Sequence, residues 1–244
     1  MSNRNHEPQK GAISGKDDVR TMFDRIVSKY DLMNHLMTAG MDFRWRKMQA
    51  KQAYELDERT SERVLDVATG TGDVAFEIRK VGVPEVVGLD ISTGMIEEAR
   101  RKAKKGGDGV SFVVGDGMNL PFEDGSFDAV TISFGLRNMP DYAEAVREMA
   151  RVLRPGGKLV CLEMTPYRRP FLGPLFKLYF EHLVPVIGWI VSRDYKAYKY
   201  LPDSVRAFPP ADALADIFHA AGLQNVKYQM LGFGTVAMHV GTRP

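Results

Sequence analysis

The sequence predicts an α/β fold with a mostly parallel sheet and helices on both faces. Three observations predict it. From Arg63 onwards, short apolar runs alternate with amphipathic helical runs. A glycine-rich turn follows the first apolar run directly. The alternation breaks only near the end, where two apolar runs adjoin. Strands separated by helices pair in parallel, and an adjoining pair does not, so one strand of the seven is expected to be antiparallel.

The elements follow in order. Residues 1–18 are polar and lack apolar periodicity, which reads as a flexible tail. Over 19–53 the pattern is helical: Met22, Phe23, Ile26 and Tyr30 fall at helical spacing, and a second run carries Trp45, Met48 and Ala53. This N-terminal extension, 19–60, is expected to act as a helical lid. Strands are predicted at 63–67, 85–89 with Asp90 at its end, 110–114, 127–133 and 158–163. Helices are predicted at 73–81, 142–153 and from Ser92, a capping residue, to about Lys104. Arg154-Pro155-Gly156-Gly157 reads as a turn. A helical insertion is expected over 166–208, with its helix from about 171 to 206. Pro210 then opens a helix over 211–221 that Gly222 ends. Runs at 226–231 and 235–240 close the chain as a hairpin through Gly232 and Gly234. No repeat or linker divides the chain, so 19–244 is read as one domain.

Composition narrows the partners. The 244 residues carry 33 basic and 31 acidic side chains, a net charge of +2, which gives no general attraction to nucleic acid. Cys161 is the single cysteine, so no intramolecular disulfide can form, consistent with a reducing, cytoplasmic setting. The polar N-terminus has no apolar core of a secretory signal. The segment 171–191 has about the length of a membrane span. Lys177, Glu181 and Pro185 argue against spanning, since a central charge costs roughly 2.5–3.5 kcal/mol on insertion. It is either a buried helix pair or a cover over an apolar ligand.

The run Val64-Leu65-Asp66-Val67-Ala68-Thr69-Gly70-Thr71-Gly72-Asp73 joins the first strand to the first of the following helices. Glycines there let the backbone turn sharply and approach a ligand closely. Asp90 ends the next strand, 24 residues after Asp66, where an acid can accept both ribose hydroxyls of a nucleotide. The loop is neither G-x-G-x-x-G nor a P-loop, because Asp73 follows Gly72 directly and no Gly-Lys-Ser/Thr appears. Asp116, after the third strand in Gly115-Asp116-Gly117, either starts a turn or accepts from an adenine amino group.

The D-x-x-T-G-T-G arrangement resembles motif I of the class I methyltransferases that use S-adenosylmethionine (SAM). Tyr30-Asp31-Leu32-Met33-Asn34 with Trp45, Val130-Thr131-Ile132-Ser133-Phe134-Gly135-Leu136-Arg137-Asn138, and Arg151 to Gly157 running on to Leu162-Glu163 resemble the three signatures of the ubiquinone/menaquinone biosynthesis C-methyltransferases. Thr38, Asp42 and Thr165 depart from those signatures. Asp42 replaces a histidine, so it is assigned no catalytic role.

The resemblance implies a Rossmann-like class I fold with a helical insertion after the fifth strand. It also implies SAM-dependent C-methylation of a polyprenylated quinol, demethylmenaquinol or its benzoquinol equivalent. The cofactor site it implies comprises Asp66, Gly70, Thr71, Gly72, Asp90, Ile91, Asp116, Gly117 and Ser133. The catalytic residues would be Arg137, Asn138 and Tyr30, and no metal is expected. Arg137 either stabilises a phenolate or is an ion-pair partner of the N-terminal helices. Tyr30, Asp31, His35 or water would move the proton. Expected partners are the quinol substrate, the inner face of a membrane as a peripheral contact, and a second copy of the chain; nucleic acid is not among them. The rival readings are a SAM-dependent methyltransferase for another phenolic or apolar substrate and a non-catalytic protein of the same fold.

Overall fold

The computed structural model describes residues 16–57, 59–106, 109–166 and 195–244. Two helices lead, α1 (Lys16–Met37) and α2 (Met41–Tyr54). Then come β1 (Arg63–Val67), α3 (Asp73–Lys80), β2 (Glu85–Asp90), α4 (Thr93–Ala103), β3 (Val110–Val114) and β4 (Phe127–Ser133). A 3-10 turn at Leu136–Asn138 leads into α5 (Tyr142–Arg151) and β5 (Leu153–Met164). The chain closes with α6 (Tyr195–Ala207), α7 (Ala211–Ala220), β6 (Gln224–Leu231) and β7 (Val236–Thr242).

All seven strands belong to one sheet in the order β3-β2-β1-β4-β5-β7-β6. The first five run parallel; β7 is antiparallel to both β5 and β6, so it is the reversed strand that the sequence predicts. Strand order reverses between β1 and β4, and at such a switch point an open α/β sheet leaves a crevice beyond its carboxyl ends.

Helices cover both faces, which is why the central strands read as continuous apolar runs. Alternate residues of β1 face opposite ways. Leu65 and Val67 pack with Tyr142 and Met149 of α5 and Leu214 and Phe218 of α7. Val64 packs with Trp45, Ala50 and Ala53 of α2 and with Val74 and Ile78 of α3. Ser92 caps α4 by accepting from the Met95 N–H at 3.1 Å, and Asp141 caps α5 by accepting from the Glu144 N–H at 2.9 Å.

Two expectations need correction. Helix α1 starts at Lys16, inside the stretch read as a tail. The Arg154-Pro155-Gly156-Gly157 turn is part of β5. Its backbone pairs with the far end of the chain: the Gly156 N–H donates to the Arg243 carbonyl at 2.8 Å, and the Arg243 N–H to the Gly157 carbonyl at 2.9 Å. Gly156 takes φ +78°, and the ladder with β4 shifts register there, so the turn-forming residues make a bulge in a strand. The predicted segment 171–191 lies outside the described residues. Among the described residues no helix is long and apolar enough to cross a membrane.

Candidate active site

A cavity opens at the carboxyl edge of the sheet. Its walls are Ala68 and Gly70 after β1, Leu89 to Ile91 at the end of β2, Gly115 to Met118 after β3, Ser133 to Gly135 and Asn138 after β4, and Phe23 and Tyr30 from α1. The backbone reverses sharply at both central strand ends. Ala68 and Phe134 take φ +52° and +53°, a conformation that costs a side-chain-bearing residue energy and concentrates at functional sites. The two corners meet at Gly135, where a Cβ would stand 2.6 Å from that of Ala68.

The cavity contains two carboxylates, and no lysine, arginine or histidine is among its described lining residues. Asp90 is 8% exposed and accepts from the Gly70 N–H at 2.8 Å and the Ser92 N–H at 2.9 Å. Burial pushes its pKa up, and those N–H groups oppose the shift. Asp116 accepts from the Met118 N–H at 3.0 Å. A Cβ on Gly117 would sit 2.9 Å from Val67 Cγ1 of β1 and 2.7 Å from Met139 Cε, so a side chain there would force its neighbours to shift. Acids without cations suit a nucleoside that carries a positive group and repel a phosphate. The residues present therefore fit SAM.

An adjoining cavity shares Tyr30, Ala68, Ser133 and Phe134 and adds Asp31, Asn34, Arg46, Asp66, Thr71 and Asp73. Asp66 is 1% exposed and accepts from the hydroxyls of Thr69 and Thr131, both at 2.6 Å. Burial raises its pKa to about 6 against those hydrogen bonds. The Thr71 hydroxyl donates to Asp31 of α1 at 2.6 Å. Lys102 of α4 then joins the layers, donating to Asp31 at 2.6 Å and to Asp73 and Thr71 at 2.8 Å. Burial would lower its pKa, but Asp73 and Asp31 hold it above the usual value. Gly72 lines neither of these cavities. Its φ is +89°, and a Cβ there would stand 2.8 Å from the Phe112 ring, so its place is explained by packing.

The three catalytic candidates separate. Tyr30 and Asn138 line the first cavity; Arg137 does not. Burial raises the Tyr30 pKa above its ordinary value, although Asn34 and the charges of Arg137 and Arg46 pull it down. Tyr30 is therefore a neutral phenol at pH 7. Arg137 is 8% exposed and donates to the Glu163 carboxylate at 2.7 Å and to the Phe134 carbonyl, while Glu163 also accepts from the Arg137 N–H at 3.2 Å. It is thus an ion-pair partner of β5 as well as a neighbour of the site. The Asn138 amide donates to the same Phe134 carbonyl at 3.3 Å.

Asp31 is engaged by Lys102 and Thr71, and His35 Nδ1 donates to the Asp42 carboxylate at 2.7 Å while the ring stacks on Phe43. Asp42 is fully buried and also accepts from Thr38 and pairs with Arg46, which accounts for it structurally. The Ser133 hydroxyl donates to Gln49 of α2. Phe23, Lys102 and Gln49 carry much of this arrangement, and the sequence singles out none of them for it, whereas Phe134 stands in the signature after β4.

The profile of the ubiE/COQ5 methyltransferase family matches residues 11–243. A demethylmenaquinone methyltransferase of Thermus thermophilus is 46% identical over 91% of this chain and 100% of its own length. One from Deinococcus radiodurans is 42% identical over the full length of both. A ubiquinone/menaquinone biosynthesis C-methyltransferase of Desulfotalea psychrophila is 40% identical over 95% of this chain and 92% of its own. Solved structures share the fold. The [4+2]-cyclase SpnF superposes with a TM-score of 0.68 at 19% identity, covering 93% of this chain and 96% of its own. A SAM-dependent methyltransferase of Thermotoga maritima superposes with 0.61 at 21% identity, covering 92% and 99%. With a family profile spanning nearly its whole length and relatives matched end to end, the chain belongs to the ubiE/COQ5 methyltransferase family, and SAM is its methyl donor.

Proposed function

We propose that this chain methylates a ring carbon of a polyprenylated hydroquinone, demethylmenaquinol. The observation that carries the reading is the acid-lined cavity, without a cation among its described lining residues, whose wall also presents Tyr30, Phe134 and Asn138. The names of the relatives support the choice of quinol.

SAM supplies an electrophilic methyl group. The chain's own residues do the rest. Asp90 accepts the ribose hydroxyls, and Asp116 accepts the adenine amino group. Asp66 and Thr71 face the cationic amino group from the adjoining cavity. Gly70, Ile91, Gly117 and Ser133 shape the walls around the nucleoside. A hydroquinol carbon attacks far better once a ring oxygen is ionised, and free phenols ionise near pH 10. Tyr30, as a neutral phenol, donates to that oxygen rather than removing its proton; water takes the proton that the ring oxygen gives up and then the one displaced from the methylated carbon. The Asn138 amide orients it. Arg137 holds the Phe134 carbonyl that Asn138 also contacts, so it positions the wall, and its charge favours anionic oxygen nearby. Much of the acceleration comes from lining up methyl and carbon.

The test is to supply labelled SAM with demethylmenaquinol and, separately, with the demethylated benzoquinol, and to identify the product by mass spectrometry. Label on the naphthoquinol ring carbon is expected. Label on an oxygen, or on neither quinol, rejects the proposal.

A further inference from the structure

The outer surface of α1 and α2 differs from the rest of the chain in charge. Overall the protein is nearly balanced, at +2. Yet from Arg25 to Lys47 every exposed charged residue among those described is basic: Arg25, Lys29, Arg44 and Lys47; Lys51, one turn on, pairs with Glu55 at the end of α2. The acids of this stretch, Asp31 and Asp42, are turned inward into the network around Lys102 and Arg46. Interleaved with the cations are exposed apolar side chains, Leu32 at 50%, Leu36 at 47% and Phe43 at 53%. Arg25, Lys29, Leu32 and Leu36 fall at spacings of three and four, so they share one face of α1. The Phe43 ring stacks on His35 with centroids 4.2 Å apart, one residue from Leu36 and one turn from Leu32. The exposed apolar groups of the two helices therefore form one patch.

We infer that this face of α1 and α2 docks on an anionic lipid surface. A helix with leucine and phenylalanine among lysines and arginines, and no acid on that face, has the composition of an interfacial helix. Anionic lipid adds an electrostatic attraction for each basic residue near it. An ordinary soluble face would mix both signs and expose less apolar area. The placement also has a purpose, which rests on the reading of the substrate given above. The inner face of the same helix lines the cofactor cavity through Phe23 and Tyr30. Docking the outer face thus brings the cavity to the surface of the bilayer, where a quinol anchored by a prenyl tail presents its ring.

Co-sedimentation with vesicles, in the absence of any substrate, tests the inference. The probes are phosphatidylcholine vesicles with and without phosphatidylglycerol. The parent chain is expected to bind the anionic vesicles and to release them at high salt. A Lys29→Glu/Lys47→Glu variant and a Leu32→Ser/Leu36→Ser variant are each expected to bind at least about tenfold more weakly. Turnover of a tailless quinol in solution is expected to stay at the parent level in both, which shows that they fold. Equal binding of the parent to neutral and anionic vesicles overturns the inference. So does undiminished binding by both variants, which would place the contact elsewhere on the chain. A parent dimer that the variants dissociate, without a change in vesicle binding, overturns it in favour of a second copy. Failure of tailless turnover in the parent would instead count against the proposed function and leave the vesicle result standing.

Discussion

Asp66 and Asp90 are both buried at strand ends, but their partners differ. Backbone N–H groups, which can only donate, hold Asp90, so its ionised form is favoured locally. Hydroxyls hold Asp66, and a hydroxyl can donate to a carboxylate or accept from a carboxylic acid. Asp66 can therefore change protonation without losing its partners, and its pKa of about 6 puts that change within reach. The sign is fixed by the shift. The folded pKa is raised, so the carboxyl is neutral below about 6 and charged above it. If only the charged form receives the cationic amino group, SAM affinity rises about tenfold between about pH 5 and pH 7. The apo protein correspondingly loses stability as pH rises from 3.8 to about 6, because ionising Asp66 costs more in the folded chain. Calorimetric titration of the parent and of Asp66→Asn checks this. A flat parent profile, or a variant with the same slope, rejects the assignment. Both acids were legible in the sequence because strands that alternate with helices end predictably, and acids at those ends stand out. Gln49 was not legible, since nothing near it in sequence shows what it bonds.

At the scale of elements, α1 is the least self-sufficient piece of the site. Its described links to the sheet layers include Asp31 on Thr71 and Lys102, and Asp24, which accepts from Ser92 and from the Gly94 N–H at the start of α4. An element fixed by a few polar contacts opens more easily than the core. Lys102→Met is expected to keep the fold, to speed amide exchange over α1, and to weaken SAM binding about three- to tenfold, a modest figure because the pair is partly solvated. Exchange mass spectrometry with a binding titration reads both effects. Unchanged exchange over α1 would mean that the lysine does not hold the helix. In sequence, Lys102 is one of three consecutive basic residues on a helix and looks like a solvated charge. The same limit hid the true course of β5. Arg154-Pro155-Gly156-Gly157 has strong local turn chemistry, and it was overridden by Arg243, a partner 87 to 86 residues away from Gly156 and Gly157. Local pattern predicts local structure, and these features are settled by distant pairs.

For the molecule as a whole, Gln49 is one direct fastening of α2 to the sheet. Fully buried, it donates to the carbonyls of Ile132 at 3.1 Å and Val160 at 3.0 Å, and accepts from Ser133. Gln49→Leu leaves the Ser133 hydroxyl and two buried carbonyls without that partner and is expected to cost about 2–3 kcal/mol, read as a lower midpoint in urea. An unchanged midpoint would show that the contact is incidental. The fastening also sets an order in time. On the ribosome α1 and α2 are made before the strands that receive Gln49, whose contacts lie 83 and 111 residues later. Helix α2 therefore leaves the tunnel ahead of β4 and β5 and cannot complete its docking until they are made. During synthesis the apolar inner faces of both helices, Trp45 and Met33 among them, are open to chaperones and to neighbouring nascent chains. The helices that close the active site are thus made before the strands that hold them, and α2 cannot complete its contact with the sheet until β5 exists.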